Sequence, residues 1–315
     1  MSRIVTVTFN PCIDKSTSIP ALMPEKKLRC SDPVYEPGGG GINVARAIKK
    51  LGGESTAIYP SGGHTGKFFD FLLELEGIHS RIVEIAHPIR ENLIALDLST
   101  NQQYRFGMPG PELTEKEWRQ CLQLLEQEDG VEYIVASGSL PPGVPDTIFA
   151  QIAQIAKAKN ARFIADTSGD ALQHAANEGV YLLKPNLAEL SQLAGKEELE
   201  HEEIEEAALK IIKKGHCHAV VVSLGSGGAL LVTKDEKHHA IAPHVRRKST
   251  VGAGDSMVAG IVLSLSRGRS LKDAICYGVA AGTAATMNAG TGLCRLEDVE
   301  NLYGVMQRSL LVKPL

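Results

Sequence analysis

The run Thr250-Val251-Gly252-Ala253-Gly254-Asp255-Ser256 leads straight into an apolar stretch over residues 257–265. Glycines at 252 and 254 let the backbone turn sharply and present successive N–H groups. A helix starting there aims its positive end at the same point, so the spot welcomes an anion. Asp255, in the first helical turn, has two readings. It is either a favourable first-turn acid, or a carboxylate that takes a proton from a hydroxyl attacking a bound phosphate. Spacing alone leaves both open. The four glycines at 38–41 also precede a helical pattern, residues 42–51. Four in a row cost too much chain entropy for a plain turn and point to close approach of a ligand. Asn43 then offers a donor and an acceptor suited to sugar hydroxyls; the alternative is a hinge that Asn43 caps.

Lys184-Pro185-Asn186-Leu187-Ala188-Glu189 follows an apolar strand. Asn186 and Glu189 have the spacing of an ordinary capping pair, or of an outer magnesium site facing phosphates. Ser223-Leu224-Gly225-Ser226-Gly227-Gly228 joins two strands and could approach a nucleotide, or simply make a tight hairpin. Asp14, just past the first strand, is either a sugar ligand or a turn residue. Lys26, Lys27, Arg29, Arg90 and Arg105 are cations in β-like segments, and arginine matches the flat bidentate geometry of a phosphate. Gly62-Gly63-His64-Thr65-Gly66-Lys67 imitates a phosphate-binding loop but has Phe68 where a magnesium-binding hydroxyl belongs, and the first strand is not followed by a dinucleotide fingerprint. The histidine pairs His216/His218 and His238/His239 lack acidic or cysteine companions and read as surface.

These residues need a frame. Residues 4–9 alternate and are β-branched, as a sheet-opening strand does. From Thr114-x-x-Glu117, a capping-box pattern, strands near 133–136, 163–166, 181–184 and 219–224 alternate with helices near 146–158, 187–194 and 201–214. Residues 228–232 and 237–242 suggest an edge hairpin, and helices near 253–267, 271–287 and 296–308 close the chain. This alternation predicts an α/β fold with a central, mostly parallel sheet between two helical layers. Segments near 81–86, 92–98 and 103–106 read as antiparallel strands, and 27–35 as strand-like. Two β-only insertions, about 12–36 and 90–107, are expected to build one small β-sheet lid on a single domain spanning 1–315.

Composition agrees with an ordinary soluble globular protein. The 315 residues are 43% hydrophobic and carry 33 basic against 37 acidic side chains, a net charge of −4. That excludes the basic surplus of a nucleic-acid protein, so any phosphate site must be local. Six scattered cysteines without a C-x-x-C pair predict buried reduced thiols. The uncharged run 274–294 is rich in Gly, Ala and Thr and reads as a tightly packed helix plus loop rather than a membrane span. No membrane partner and a reducing, cytoplasmic compartment are expected.

Together the motifs become specific. Pro37-Gly38-Gly39-Gly40-Gly41-Ile42-Asn43-Val44-Ala45, Lys184-Pro185-Asn186 through Glu189, and Thr250-Val251-Gly252-Ala253-Gly254-Asp255 resemble, in order and over essentially the whole length, the signatures of the ribokinase-like (PfkB-type) sugar kinase family. Tyr35-Glu36-Pro37 entering the glycine run, Tyr104-Arg105-Phe106 and Ser137-Gly138-Ser139-Leu140-Pro141-Pro142-Gly143-Val144 resemble its branch that phosphorylates fructose 6-phosphate. The resemblance implies a ribokinase-like three-layer α/β/α fold. It implies Asp255 as the base, and backbone N–H groups of Gly252, Ala253 and Gly254 as the anion hole. Asp14, Gly39 and Asn43 would hold the sugar. Ser139, Arg90 and Arg105 would grip its phosphate, with Lys27 and Arg29 reaching a neighbouring subunit. Lys184, Asn186 and Ser223, Leu224, Gly225, Ser226, Gly227 and Gly228 would line the ATP site, and Asn186 with Glu189 would organise Mg2+. A K+ ion would sit near Ser249, Val251, Ala285, Asn288 and Gly290, although Gly292 stands where the family carries a larger, often basic residue. The implied activity is MgATP-dependent phosphorylation of fructose 6-phosphate at its C1 hydroxyl, in a homodimer joined through the lid. Tagatose 6-phosphate or fructose 1-phosphate is the alternative acceptor, and a non-catalytic sugar-phosphate sensor is the alternative from another class.

Overall fold

The computed structural model describes residues 4–215 and 217–311, without the side chains of 309–311. The chain begins with β1 (Ile4–Val7), β2 (Cys12–Ile19), β3 (Val34–Gly38), α1 (Gly40–Lys50), β4 (Thr56–Ser61), α2 (Gly63–Leu75) and β5 (His79–Glu84). It continues with β6 (Arg90–Asp97), β7 (Gln102–Phe106), α3 (Glu115–Gln127), β8 (Tyr133–Ser137), α4 (Ile148–Ala158), β9 (Arg162–Asp166), α5 (Gly169–Glu178) and β10 (Leu182–Leu183). Then come α6 (Leu187–Leu193), α7 (Ile204–Gly215), β11 (Ala219–Ser223), β12 (Ala229–Thr233), β13 (Lys237–Ala240), α8 (Ala253–Ser266), α9 (Leu271–Thr286) and α10 (Leu296–Leu311).

Nine strands form one sheet in the order β13-β12-β11-β10-β9-β8-β1-β4-β5. All neighbours pair in parallel except β11–β12 and β12–β13, the edge hairpin. Side-chain alternation divides the sheet between two apolar layers. On β8, Ile134 and Ala136 join a core with α2 to α7, while Tyr133 and Val135 join a core with α8 to α10 and part of α1. Each fully buried Val or Ile in these layers contributes about 1.5–3 kcal/mol. Residues 274–285 are almost wholly buried. Their small side chains let α9 press on α8: a Cβ on Gly260 would lie 2.9 Å from Gly278 Cα. Among the described residues no helix is long and apolar enough to cross a membrane. All six cysteines are free, five buried and Cys30 exposed.

Four strands make a second, smaller sheet, in the order β3-β2-β6-β7. Both sequence insertions supply it, but two expectations need correction. Residues 27–33 are not strand; β3 starts at Val34 and its partner is β2. β6 and β7 pair antiparallel as expected, and β2 pairs with β6 in parallel. The segment at 81–86 belongs to β5, parallel to β4 in the large sheet, because α2 makes β4-α2-β5 a right-sized crossover. Helix α5 between β9 and β10 adds an element that the sequence pattern does not announce, because its polar face and short apolar stripe (Ala171, Leu172, Ala175, Ala176) give a weak periodic signal.

The order of the large sheet reverses at β1. The chain builds outward through β4 and β5, then returns to β8 on the other side of β1. In parallel α/β sheets, ligands gather at the carboxyl ends of strands beside such a switch point. The glycine run is packed there. A Cβ on Gly40 would lie 2.4 Å from Ser137 Oγ at the end of β8, and one on Gly41 would lie 2.7 Å from Val7 O at the end of β1.

Candidate active site

Parallel strands end on one side of the sheet, so the loops after β1, β8, β9, β10 and β11 converge. Helix α8 arrives over them with Gly252 at its N-cap in the left-handed conformation, φ 70. The first N–H groups of a helix have no carbonyl within it to bond. At this end they face the strand termini: a Cβ on Gly254 would be 3.6 Å from Lys184 Nζ.

Asp255 lies one residue beyond that turn, half-buried. Asn43 Nδ2, from α1, donates to its Oδ2 at 2.9 Å. Its pKa is pushed up to about 7, first by burial and then by the carboxylate of Asp166; Asn43 and Lys184 pull the other way. A carboxyl poised near neutrality can accept a proton and give it up again.

Lys184 is 5% exposed, and its ammonium stands 3.0 Å from Asp166 Oδ1. Burial acts to lower its pKa, but the Asp166 carboxylate overrides this and holds it above the ordinary lysine value. The lysine therefore stays charged beside the anion hole. Asp166 is the main residue the sequence reading missed. Its signal was a lone carboxylate closing the apolar strand β9 at its carboxyl end.

Asn186 and Glu189 form the capping box of α6. Asn186 Oδ1 accepts from Glu189 N at 2.9 Å, and Glu189 Oε2 accepts from Asn186 N at 2.8 Å. Burial raises the Glu189 pKa against the pull of the Asn186 N–H and Lys184. The capping reading is thus correct, and the charges of Lys184 and Asp166 both act on the Glu189 carboxyl. Among the described residues no three acidic, histidine or cysteine side chains converge as a metal cage. The carboxylates of Glu189 and Asp166 fit a hard cation held through waters and phosphates. The 223–228 turn lies alongside: Ser223 N donates to Pro185 O at 2.9 Å, and Gly225 and Gly228 take positive φ. A Cβ on Gly228 would sit 2.0 Å from Ala240 O. Hairpin packing explains that glycine directly.

Asn43, which holds Asp255, also lines a cavity of about 270 Å3 with Asp14, Gly39, Arg90, Asn92 and Arg105 among its walls. Asp14 is buried, and its Oδ1 accepts from Asn92 Nδ2 at 2.9 Å and from Cys12 Sγ at 3.3 Å. Burial first, then Asp14, drives the Cys12 thiol well above its ordinary pKa, so it stays a neutral donor. Arg90 is anchored by the carbonyls of Asn10 (3.0 Å) and Met108 (3.2 Å), while its buried Nε has no partner. Arg105 Nη2 donates to Thr250 Oγ1 at 3.0 Å, tying β7 to the start of the anion hole. Ser139 is not in the cavity lining but bonds Asn10 Nδ2 at 3.1 Å. Lys27 and Arg29 are exposed on the loop after β2 and are not brought to the cavity.

The proposed cation loop is firmly built. Asn288 Nδ2 donates to Leu293 O at 2.8 Å and Ala284 O at 3.3 Å, Asn288 N to Ala285 O, and Val251 N to Ser249 Oγ at 3.2 Å. Gly290 adopts a left-handed φ of 62. Carbonyl and hydroxyl oxygens are the donors a hard monovalent cation takes. A Cβ on Gly292 would lie 3.1 Å from Ala289 O and 3.3 Å from Asn288 Cβ, so a larger residue there needs a small shift of the loop. His216 lies outside the described residues. His238 is half-buried rather than free surface, 3.4 Å from Cys276 Sγ.

A model of the pfkB family of carbohydrate kinases matches residues 5–298. The chain is 46% identical to the ATP-dependent 6-phosphofructokinase isozyme 2 of Escherichia coli (strain K12), over 98% of this chain and all of that one. Two crystal structures of phosphofructokinase-2 from Escherichia coli superpose on it. The complex with potassium gives a TM-score of 0.93 at 45% identity, and the complex with fructose-6-phosphate gives 0.91 at 44%. Each covers 98% of this chain and 100% of the other.

Proposed function

The chain belongs to the pfkB family of carbohydrate kinases, and on that premise we propose that it transfers the γ-phosphoryl group of ATP to the C1 hydroxyl of fructose 6-phosphate. One observation carries the reading: a half-buried carboxyl with a pKa of about 7 sits in the first turn of a helix capped by glycine and is held by Asn43, which also lines a cavity of about 270 Å3 together with Asp14 and two arginines. Asp255 takes the hydroxyl proton as the C1 oxygen attacks. N–H groups of Gly252 to Gly254 and the Lys184 ammonium hold the charge of the travelling phosphoryl group. Asp14, Gly39 and Asn43 seat the ketose, and Arg90 and Arg105 take its existing phosphate, with Ser139 close by through Asn10. Transfer is direct and in line, with no phosphoenzyme.

Glu189, shaped by Asn186, and Asp166 are the groups that would hold the waters of a magnesium ion, which when bound with the nucleotide would neutralise charge on its phosphates. Potassium would sit against carbonyls of the 285–290 loop and Ser249, where it would stiffen the floor of the anion hole. The small sheet acts as a lid that excludes water from the transfer. Its exposed Val34, Leu98 and Phe106 support pairing of two copies through the lid. Lys27 and Arg29, free of the cavity in one chain, would then reach the partner's site.

The test is a coupled ADP-release screen across fructose 6-phosphate, fructose 1-phosphate, tagatose 6-phosphate and unphosphorylated sugars. The highest kcat/KM is expected with fructose 6-phosphate. A higher value with fructose 1-phosphate or tagatose 6-phosphate replaces the acceptor, and absence of ADP release with every sugar replaces the enzyme by a sensor.

A further inference from the structure

Three polar side chains stand abreast across the small sheet. The register pairs Asp14 with Glu36 on one side and with Asn92 on the other. Residues directly opposite in paired strands project from the same face. Asp14 and Asn92 line the sugar cavity; Glu36 does not. Asn92 ties this row to the returning chain, since its Oδ1 accepts from Met108 N at 3.1 Å.

Glu36 reaches the other way. Its Oε2 accepts from both the hydroxyl and the backbone N–H of Thr291. Its Oε1 lies 3.6 Å from Arg46 Nη2. Arg46 is only 2% exposed, and it is held by two hydrogen bonds to Glu76 (2.6 and 2.8 Å) and one to Pro37 O (2.7 Å). A buried guanidinium keeps its carboxylates close because an unpaired charge there is costly. Glu36 is therefore fixed by charge on one oxygen and by Thr291 on the other.

The Thr291 loop leads to the anion hole. Asn288 holds the Leu293 carbonyl, and Leu293 keeps a left-handed φ of 50, a backbone state that persists for a branched residue only where its surroundings enforce it. The Leu293 side chain lies against Gly252: a Cβ there would meet Leu293 Cδ2 at 2.5 Å. Strand pairing joins Asp14 to Glu36, hydrogen bonds join Glu36 to Thr291, and the short loop from Thr291 to Leu293 ends against the residue that opens α8. This route is separate from the direct Asn43–Asp255 bond.

We propose that Glu36 is a positioning residue that couples occupancy of the sugar cavity to the geometry of the anion hole; the proposal rests on the function given above. Sugar hydroxyls on Asp14 fix one rung of the sheet, the paired strand carries Glu36 with it, and Thr291 and Leu293 set Gly252. Such coupling is reciprocal in binding free energy and needs no change in either direct contact set.

The experiment measures, by calorimetry on the full chain, the dissociation constant of a non-hydrolysable ATP analogue with and without saturating fructose 6-phosphate. The sugar is expected to tighten the analogue by at least about fivefold in the natural protein, the low end of ordinary coupling. In Thr291→Val and Glu36→Gln that ratio is expected to fall to within about twofold of unity, while affinity for the analogue alone changes by less than about twofold. Thr291→Ser, which restores the hydroxyl, should restore the ratio. A merely structural role would weaken both affinities and leave the ratio intact. A ratio of one in the natural protein, or an undiminished ratio in Thr291→Val at unchanged Tm, overturns the proposal. Should Glu36→Gln fail to fold, the Thr291 pair decides alone. Failure of the function reading shows separately, as a different preferred acceptor in the kinetic screen, and the ratio is then read with that acceptor.

Discussion

Replacing Asp255 by asparagine keeps the shape of the side chain and removes its basicity. Asn43 can still donate to the new amide oxygen, so the site geometry should survive. A positioned base supplies about 10²–10⁴ in rate, so kcat is expected to fall by at least about 100-fold. The natural enzyme should also carry the signature of this group in its pH profile. With the carboxyl held at about 7, only about one tenth is ionised at pH 6 and about nine tenths at pH 8, so kcat/KM should climb roughly tenfold across that interval. Asp255→Asn should lose this limb. Stability moves in the opposite sense. The folded chain binds a proton that the unfolded chain has released between the ordinary aspartate value of 3.8 and about 7, so the natural protein loses stability as pH rises through that window. The full cost above pH 7 is at most about 4 kcal/mol. Asp255→Asn escapes it, and should have a higher Tm than the natural protein at pH 8 and an equal one near pH 4. Steady-state kinetics and thermal melts at both pH values decide the matter. Near-normal turnover in Asp255→Asn, or a flat kcat/KM profile between pH 6 and 8 in the natural enzyme, would refute the assignment of the base.

Arg90→Ala is expected to raise the KM for fructose 6-phosphate at least about tenfold with the KM for ATP unchanged, and Arg90→Lys to recover it only in part because the bidentate fork is lost; an unaltered sugar KM would remove Arg90 from the phosphate grip. Lys184→Met leaves Asp166 uncompensated beside Asp255, so it should destabilise by about 3 kcal/mol and move the acid limb of kcat/KM to higher pH, since Lys184 now lowers the Asp255 pKa; a limb shifted to lower pH contradicts that electrostatic account. Gly40→Ala forces a methyl to within 2.4 Å of Ser137 Oγ and 2.6 Å of Gly138 N; a loss of at least about 2 kcal/mol in urea unfolding is expected, and an unchanged midpoint would show that the glycine run is not a packing requirement.

What the sequence determined was local. Helix α8 with its glycine turn, the Asn186–Glu189 box, the Thr114–Glu117 box that the structure also contains, and the parallel alternation from β8 onward follow from spacing and periodicity within a dozen residues. So does the buried α9, because a long run of small apolar residues can only be satisfied inside. Tertiary structure decided whatever depends on partners far apart in the chain. Asp255 reads equally well as a helix-start acid until Asn43, 212 positions away, is found bonded to it. Asp166 acquires its role only when β9 and β10 lie side by side and Lys184 meets it. The small sheet pairs β2 with β6 across some 70 residues, so its parallel sense, and the row from Glu36 through Asp14 to Asn92, had no signature in either strand alone. Arg46 is buried only because Glu76 and Glu36, from distant parts of the chain, close over it. Local preference is written in neighbouring residues, whereas the electrostatics of a site depend on which distant charges the fold brings within a few ångströms.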